Sequence, residues 1–129
     1  MAYGTAKADV IQSSTAGVAP QFNDGNGTQT GTLCRAWVKF VGSTAVINGS
    51  FNVSSITRSG VGDYLVNFTN AMPDANYAAN TTCQDGIGNV NITKAGIGST
   101  YSTTQFEIAI NKQGTGALDE PIVTASVFR

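Results

Sequence analysis

The feature that most constrains the fold is a two-residue alternation of apolar and polar side chains. In residues 34–40 (CRAWVKF), small or apolar side chains at even positions alternate with Arg, Trp and Lys at odd positions. Residues 64–69 (YLVNFT) alternate in the same way, and further strand-like runs occur at 105–110 and 122–128. Successive side chains of a strand point to opposite faces, and nowhere does a helical period persist for three turns. We therefore predict an all-β chain.

Turn-forming residues separate these runs. Pro73 cannot donate to a ladder and ends one run, and the Gly-rich segment 59–63 precedes another. Asn48-Gly49 lies between two apolar runs, and because type I′ turns need positive φ at both central residues, this dipeptide predicts a hairpin turn. About eight strands spaced by such signals predict an antiparallel β-sandwich, jelly-roll-like in character.

The first quarter of the chain differs from the rest. After a short alternating stretch at 5–11, residues 13–17 and 23–27 are clusters of Ser, Thr, Gly and Asn, which punctuate or extend a chain and do not build a core. We predict an extended N-terminal arm over residues 1–32, for attachment or intersubunit contact, and a β-sandwich body over residues 33–129.

Charge and hydropathy limit the partners. Only 12% of residues are charged, the net charge is −1, and the basic residues are scattered singly, so no stripe exists to collect phosphates. No run approaches the roughly 18 apolar residues of a membrane span, and the opening residues lack the basic start and apolar run of a secretory signal. We expect a soluble protein made in the cytoplasm that binds no nucleic acid and does not insert into a membrane.

The residues offer little catalytic chemistry. The chain contains no histidine, which removes the commonest general base and the Ser-His-Asp and Cys-His arrangements. A glycosidase-like carboxylate pair remains conceivable by residue type, but turn roles are expected for Asp63 and Asp74. The loop at 85–89 lacks the spaced carboxylates of a calcium site, and the two cysteines, expected to be reduced, have no metal-ligand spacing. We predict no enzymatic activity, no metal and no cofactor.

Five segments of the body resemble a recurrent module found at the C-terminal ends of tail-fibre-like proteins of tailed bacteriophages, especially phages of cyanobacteria and other aquatic hosts. They share its order and spacing and are residues 34–40 (CRAWVKF), 51–57 (FNVSSIT), 62–68 (GDYLVNF), 71–77 (AMPDANY) and 123–128 (VTASVF). Residues 4–12 (GTAKADVIQ) resemble the head segment of many such proteins. The resemblance thus covers nearly the whole chain.

The resemblance implies a β-rich virion protein that is often a homotrimer, with an N-terminal segment attached to other virion proteins. On this interpretation the attachment residues would be Thr5, Lys7, Asp9 and Ile11. The chain lacks the long shaft of a full-length fibre, so a short tail appendage, a capsid decoration protein and a head fibre all remain open. A free carbohydrate-binding module or small depolymerase is a further alternative.

Two kinds of contact residue are predicted. Trp37 shares its strand face with Arg35 and Lys39, which is unusual for a core face. We expect this face to pack against another subunit or sheet, with intrachain packing and ligand binding as the alternatives. Loops on a rigid β scaffold tolerate change and can face a host surface glycan, and the candidate host-facing residues are Asp74, Asn76, Asp85, Asn89 and Tyr101.

Overall fold

A computed structural model of the protein describes residues 21–23, 28–30, 33–84, 91–95 and 101–129. The chain divides into two compact units, residues 1–33 and 34–129. In the first unit, β1 (Gln21–Asn23) and β2 (Thr28–Thr30) pair antiparallel, with Phe22 opposite Gln29.

In the described residues, the second unit contains nine strands. They are β3 (Cys34–Phe40), β4 (Ile47–Phe51), β5 (Val53–Gly60), β6 (Asp63–Phe68), β7 (Ala78–Gln84), β8 (Asn91–Ala95), β9 (Gln105–Lys112), β10 (Gly116–Ala117) and β11 (Ile122–Phe128). The predicted all-β class is confirmed: the strands build two antiparallel sheets consistent with a β-sandwich.

The first sheet has the order β4-β3-β11-β7, and the second has the order β10-β9-β6-β5, with β8 also paired to β9. On one side of the body β7 and β8 are adjacent, and the Thr93 hydroxyl donates to the Thr81 carbonyl oxygen at 2.9 Å. On the other side β4 and β5, consecutive in the chain, are the edges of the two sheets. The body is therefore bridged along one side and presents two sheet edges on the other.

The alternation read from the sequence places the core between the sheets. Side chains at every second position of β3, β6, β9 and β11 are buried, which bears out the faces predicted for residues 34–40 and 64–69. The largest fully buried side chains are Tyr64, Phe40, Phe106, Ile108, Ile110, Val38, Val66, Val123 and Val127.

The hairpin turn predicted at Asn48-Gly49 is wrong. Both residues lie inside β4, and Gly49 is paired with Lys39 of β3. The reversal from β3 to β4 uses residues 41–46 instead, closed by a hydrogen bond from the Val41 amide to the Val46 carbonyl oxygen at 2.9 Å, with Ala45 at a φ of 55°. Pairing with β3 across the 41–46 turn thus overrides the turn propensity of Asn48-Gly49.

The two cysteines lie in the first sheet on strands that flank β11. Cys34 is opposite Phe128 and Cys83 is opposite Val123, five positions away along the same strand. Five residues of strand span about 17 Å, whereas disulfide Cα atoms lie within about 7 Å of each other. A disulfide between Cys34 and Cys83 is therefore incompatible with this fold.

Candidate functional site

The solvent-facing side of the first sheet, called the outer face below, carries the most exposed aromatic surface of the body. On β3, Arg35, Trp37 and Lys39 all point to solvent, as predicted, while the residues between them are buried. Trp37 is 43% exposed. A large indole left this exposed on a regular strand is available for contact.

Trp37 has one exposed apolar neighbour and one glycine beside it. Phe51 of β4 is directly opposite Trp37 in the ladder and is 55% exposed. A methyl group placed on Gly49 would lie 3.4 Å from Cη2 and 3.5 Å from Cζ3 of Trp37, so the indole reaches over the bare backbone of this glycine. Gly49 thus supports the ring on one side and explains why Asn48-Gly49 sits in a strand.

The rows of Trp37 and Lys39 continue across β11 and β7 as polar, uncharged side chains. Ser126 of β11 follows Trp37 in the same row and is in turn opposite Asn80 of β7. In the next row the Thr82 and Thr124 hydroxyl oxygens are 2.6 Å apart and hydrogen-bonded. Hydroxyl and amide groups therefore continue from the aromatic pair across the sheet.

The outer face carries positive charge without a balancing carboxylate. None of the four strands β3, β4, β7 and β11 contains Asp or Glu. Within the described ranges the ion pairs are Arg58–Asp119 and Arg129–Asp74, and neither involves Arg35 or Lys39. Arg35 and Lys39 thus flank Trp37 as two cations with no ion-pair partner in the described part of the chain.

The corner next to Phe51 is fixed by Asn52, which sequence reasoning did not single out. Asn52 has a φ of 54°, and its Nδ2 donates to the carbonyl oxygens of Arg35 and Asn70, each at 3.1 Å. Its Oδ1 accepts from the Asn70 amide at 2.7 Å. Asn tolerates this backbone region better than most residues. One side chain therefore ties the β4–β5 corner to β3 and to the end of β6.

The predicted loop residues Asp74 and Asn76 lie where β6 ends and β7 and β9 begin. Asp74 Oδ1 accepts from the Asn76 amide at 2.8 Å, the local turn role expected of an aspartate after proline. Both Asp74 oxygens also accept from Arg129, at 2.9 and 2.5 Å. The hydrogen bonds from Arg129 and from the Asn76 backbone lower the pKa of Asp74. Its carboxylate is thus engaged within the chain.

Tyr101, predicted to face a host, packs into an aromatic cluster at the same end. Its ring centroid lies 5.0 Å from that of Tyr77 and 6.2 Å from that of Phe106, and burial raises its pKa. The Tyr77 hydroxyl donates to the carbonyl oxygens of Ser102 and Gln105 at 3.0 and 3.1 Å, and burial raises its pKa to about 12. This cluster braces the loops 69–77 and 101–104.

The candidate loop residues that the structure describes lie at one end of the strands, opposite to the end where Gln84 lies. Strand β7 ends at Gln84, which is opposite Ile122 at the start of β11. Asp74 and Tyr101 lie at the other end of the strands, near Phe128 and Gln105. Asp85 and Asn89 fall outside the described residues, as do the predicted attachment residues Thr5, Lys7, Asp9 and Ile11.

Asp119 occupies a polar network at the opposite end from Asp74. Arg58 donates to both of its oxygens, with a closest contact of 2.6 Å, and Oδ1 also accepts from the Gly62 amide at 2.9 Å and the Tyr64 hydroxyl at 2.6 Å. The hydrogen bonds from Arg58, Gly62 and Tyr64 lower the pKa of Asp119 to about 2 despite partial burial. Burial and the bond to Asp119 raise the pKa of Tyr64.

These carboxylates are poorly suited to acid catalysis. A glycosidase general acid needs a raised pKa, whereas the pKa values of Asp74 and Asp119 are both lowered. No group of three or more His, Cys, Asp or Glu residues that could hold a metal ion occurs in the described residues. The same part of the chain contains no helix that is long and apolar enough to cross a bilayer.

Comparisons with protein-family models, with curated proteins and with solved structures found no match.

Proposed function

We propose that this chain is a non-enzymatic structural protein of a tailed-phage virion, a short tail-fibre-like appendage that self-associates and contacts the host surface. The observation that carries the contact role is the outer face, where Trp37 and Phe51 stay about half exposed beside two cations. The phage assignment rests on the sequence resemblance of residues 33–129, and an all-β body is compatible with it.

Two observations support a protein that acts by contact. The sequence contains no histidine, and the best-placed carboxylates, Asp74 and Asp119, are held ionised by arginine partners. Both acids stabilise loops through several hydrogen bonds, a structural use of the side chain. On this proposal the chain uses no cofactor or metal, and no nucleic acid or membrane is a partner.

Copies of the chain could associate at the side of the body where β4 and β5 are sheet edges. Of the strands of the second sheet, β5 is among the longest, with eight residues, and most of its side chains are exposed. An exposed edge is a template for pairing with another chain unless it is covered. We propose that copies associate at these edges, as the homotrimer that the resemblance implies, with residues 1–32 attaching to other virion proteins.

Two alternatives keep specific support. A capsid decoration protein or head fibre could use the same all-β body and the same exposed outer face for contact. A free carbohydrate-binding module is favoured by the indole supported on Gly49, because flat aromatic rings stack on sugars. Copy number and location on a particle separate the first alternative from the tail appendage, and sugar binding without any particle characterises the second.

The deciding experiment is cryo-electron microscopy of the virion that encodes this chain, together with the solution mass of the purified chain by light scattering. Trimers located on the tail, and a trimer in solution, are the expected results. Density over the capsid shell would identify a decoration protein. Absence of the chain from purified particles would overturn the proposal.

A further inference from the structure

We propose that the outer face binds an anionic polysaccharide, with Trp37 stacking on a sugar ring and Arg35 and Lys39 pairing with uronate carboxylates. This inference deepens the proposed host contact and places it on the first sheet and away from the loops. It rests on the proposed function only for the biological source of the polysaccharide, because the binding is a property of the isolated body.

The stacking role follows from how Trp37 is held. A methyl group placed on Gly49 would lie 3.4 and 3.5 Å from two atoms of the indole, so the ring extends over this residue while 43% of Trp37 remains open to solvent. Phe51 extends the apolar surface beside it in the same row. An aromatic ring held against a strand offers a wide apolar area at small cost in side-chain entropy, which suits the C–H face of a pyranose.

The charge preference follows from the strand composition. Arg35 and Lys39 lie two residues before and after Trp37 on β3, so each Cα is about 7 Å from that of Trp37. The four strands of this sheet contain no acidic residue that would neutralise them. A ligand that stacks on the indole therefore meets a cation on each side, and carboxylates complement both.

Uncharged polar side chains on β11 and β7 extend the site, so that it could contact more than one sugar of a polysaccharide. Ser126 and Asn80 continue the row of Trp37, and Thr124 and Thr82 continue the row of Lys39. Adjacent strands are about 4.8 Å apart, so the polar side chains of the three strands β3, β11 and β7 extend over roughly 10 Å. Sugar hydroxyls can use such groups both as donors and as acceptors, which favours a polysaccharide over an acidic peptide.

A second copy of the chain fits this face less well. Face-to-face pairing would bring Arg35 and Lys39 of both copies into one interface without any carboxylate from these strands. Like charges placed together in an interface are unfavourable. The sheet edges β4 and β5 offer a contact free of this repulsion. The predicted subunit contact at Trp37 and polysaccharide binding use the same face, and the experiment below distinguishes between them.

The test measures retardation of the purified full chain in gels containing alginate, a polyuronate, with neutral dextran and polyglutamate as comparison polymers. We expect retardation by alginate and none by dextran. Trp37→Ala should weaken alginate binding at least about tenfold, as expected for an aromatic anchor that the bound ligand covers. The affinity of Trp37→Phe for alginate should fall between those of the parent chain and Trp37→Ala. Arg35→Gln with Lys39→Gln should weaken binding and remove its salt dependence.

Two matched controls stay outside the face. Lys112→Gln removes a cation from β9, and Val61→Ala removes exposed apolar surface from the β5–β6 turn; neither should change alginate binding. Lack of alginate retardation of the parent chain would overturn the inference, as would equal retardation by polyglutamate. A Trp37→Ala chain of lower oligomer mass would overturn it too, because a second copy would then cover the face.

The two proposals fail separately. Alginate binding by a chain that is absent from virions would remove the phage role and leave the polysaccharide site intact. A chain located on the tail that ignores alginate would keep the phage role and remove this site.

Discussion

The two faces of β3 differ in what their side chains contact. On the inner face Ala36, Val38 and Phe40 are buried, and the Phe40 ring meets Tyr64 edge-on at a centroid distance of 5.1 Å. On the outer face Arg35 and Lys39 have no ion-pair partner in the described ranges, and Trp37 rests on Gly49 and stays 43% exposed. The inner face is explained by contacts within the chain, and we propose that the outer face contacts a partner.

This difference separates stability from function along one strand. Substitutions on the inner face should lower the free energy of unfolding strongly and alter binding only through loss of fold. Substitutions on the outer face should leave the fold in place and remove contact.

Phe40→Ala should have the largest effect. The side chain is fully buried, and Phe-to-Ala changes in cores cost about 3–5 kcal/mol through lost transfer energy and a residual cavity. Urea denaturation should report this loss. Lys39→Ala, the adjacent residue on the outer face, is the matched control and should change the unfolding free energy by less than about 0.5 kcal/mol. Equal losses from both variants would contradict the separation of the faces.

Asn52→Ala should rank second, because it removes the anchor beside the outer face. Alanine loses the bonds to Arg35 and Asn70 and must adopt the same positive φ, together costing about 2–3 kcal/mol. Asn52→Gly relieves the backbone strain while losing the same bonds, so it should cost less in thermal denaturation. A larger loss for glycine than for alanine would show that φ at this corner is not limiting.

Acidification should remove a smaller contribution, from the Asp119 network that extends the inner face through Tyr64. The pKa of Asp119 is lowered to about 2, below its unfolded value near 4. The stabilisation is therefore complete above about pH 4 and is lost as the pH falls towards 2. Asp119→Asn should flatten this part of the stability profile. If Asp119→Asn lost stability at low pH as strongly as the parent chain, the acid sensitivity would come from other carboxylates.

Trp37→Ala should have the smallest effect on stability despite the size of the side chain. Nearly half of the residue is already exposed, so we expect a loss of about 1 kcal/mol or less in the same urea titration. Gly49→Ala adds a methyl group at ordinary contact distance from the ring, so it should change the free energy of unfolding less than Trp37→Ala does. A loss comparable to that of Phe40→Ala would make Trp37 a structural residue.

The sequence predicted the features that depend on local pattern. The alternation at 34–40 separated the two faces of β3, and the alternation at 64–69 placed Tyr64, Val66 and Phe68 on one face, which the structure shows to be buried. The Asn48-Gly49 turn failed because pairing with β3 and the cover provided by Trp37 outweigh the local preference. A turn propensity of this kind is a weak signal when a strand partner lies elsewhere in the chain.

The sequence did not predict the features that depend on distant contacts. Asn52 and Asn70 are 18 residues apart, and Asp119 and Arg58 are 61 residues apart, so neither contact has a local pattern. Tyr101 carries the same kind of side chain as an exposed contact residue, and only the packing of Tyr77 and Phe106 assigns it to the core. The exposure of Trp37 was visible in the alternation, but its support on Gly49 was not.

The most direct test of a separate contact face is a series of two-dimensional amide NMR spectra of the isolated chain titrated with alginate oligomers. Shifts confined to residues 35–39 and 49–51, with neighbouring changes at Asn80 and Ser126, are the predicted result. Shifts concentrated at 70–77 and 101–104 would assign contact to the loops, and unchanged spectra would contradict a polysaccharide site on the outer face.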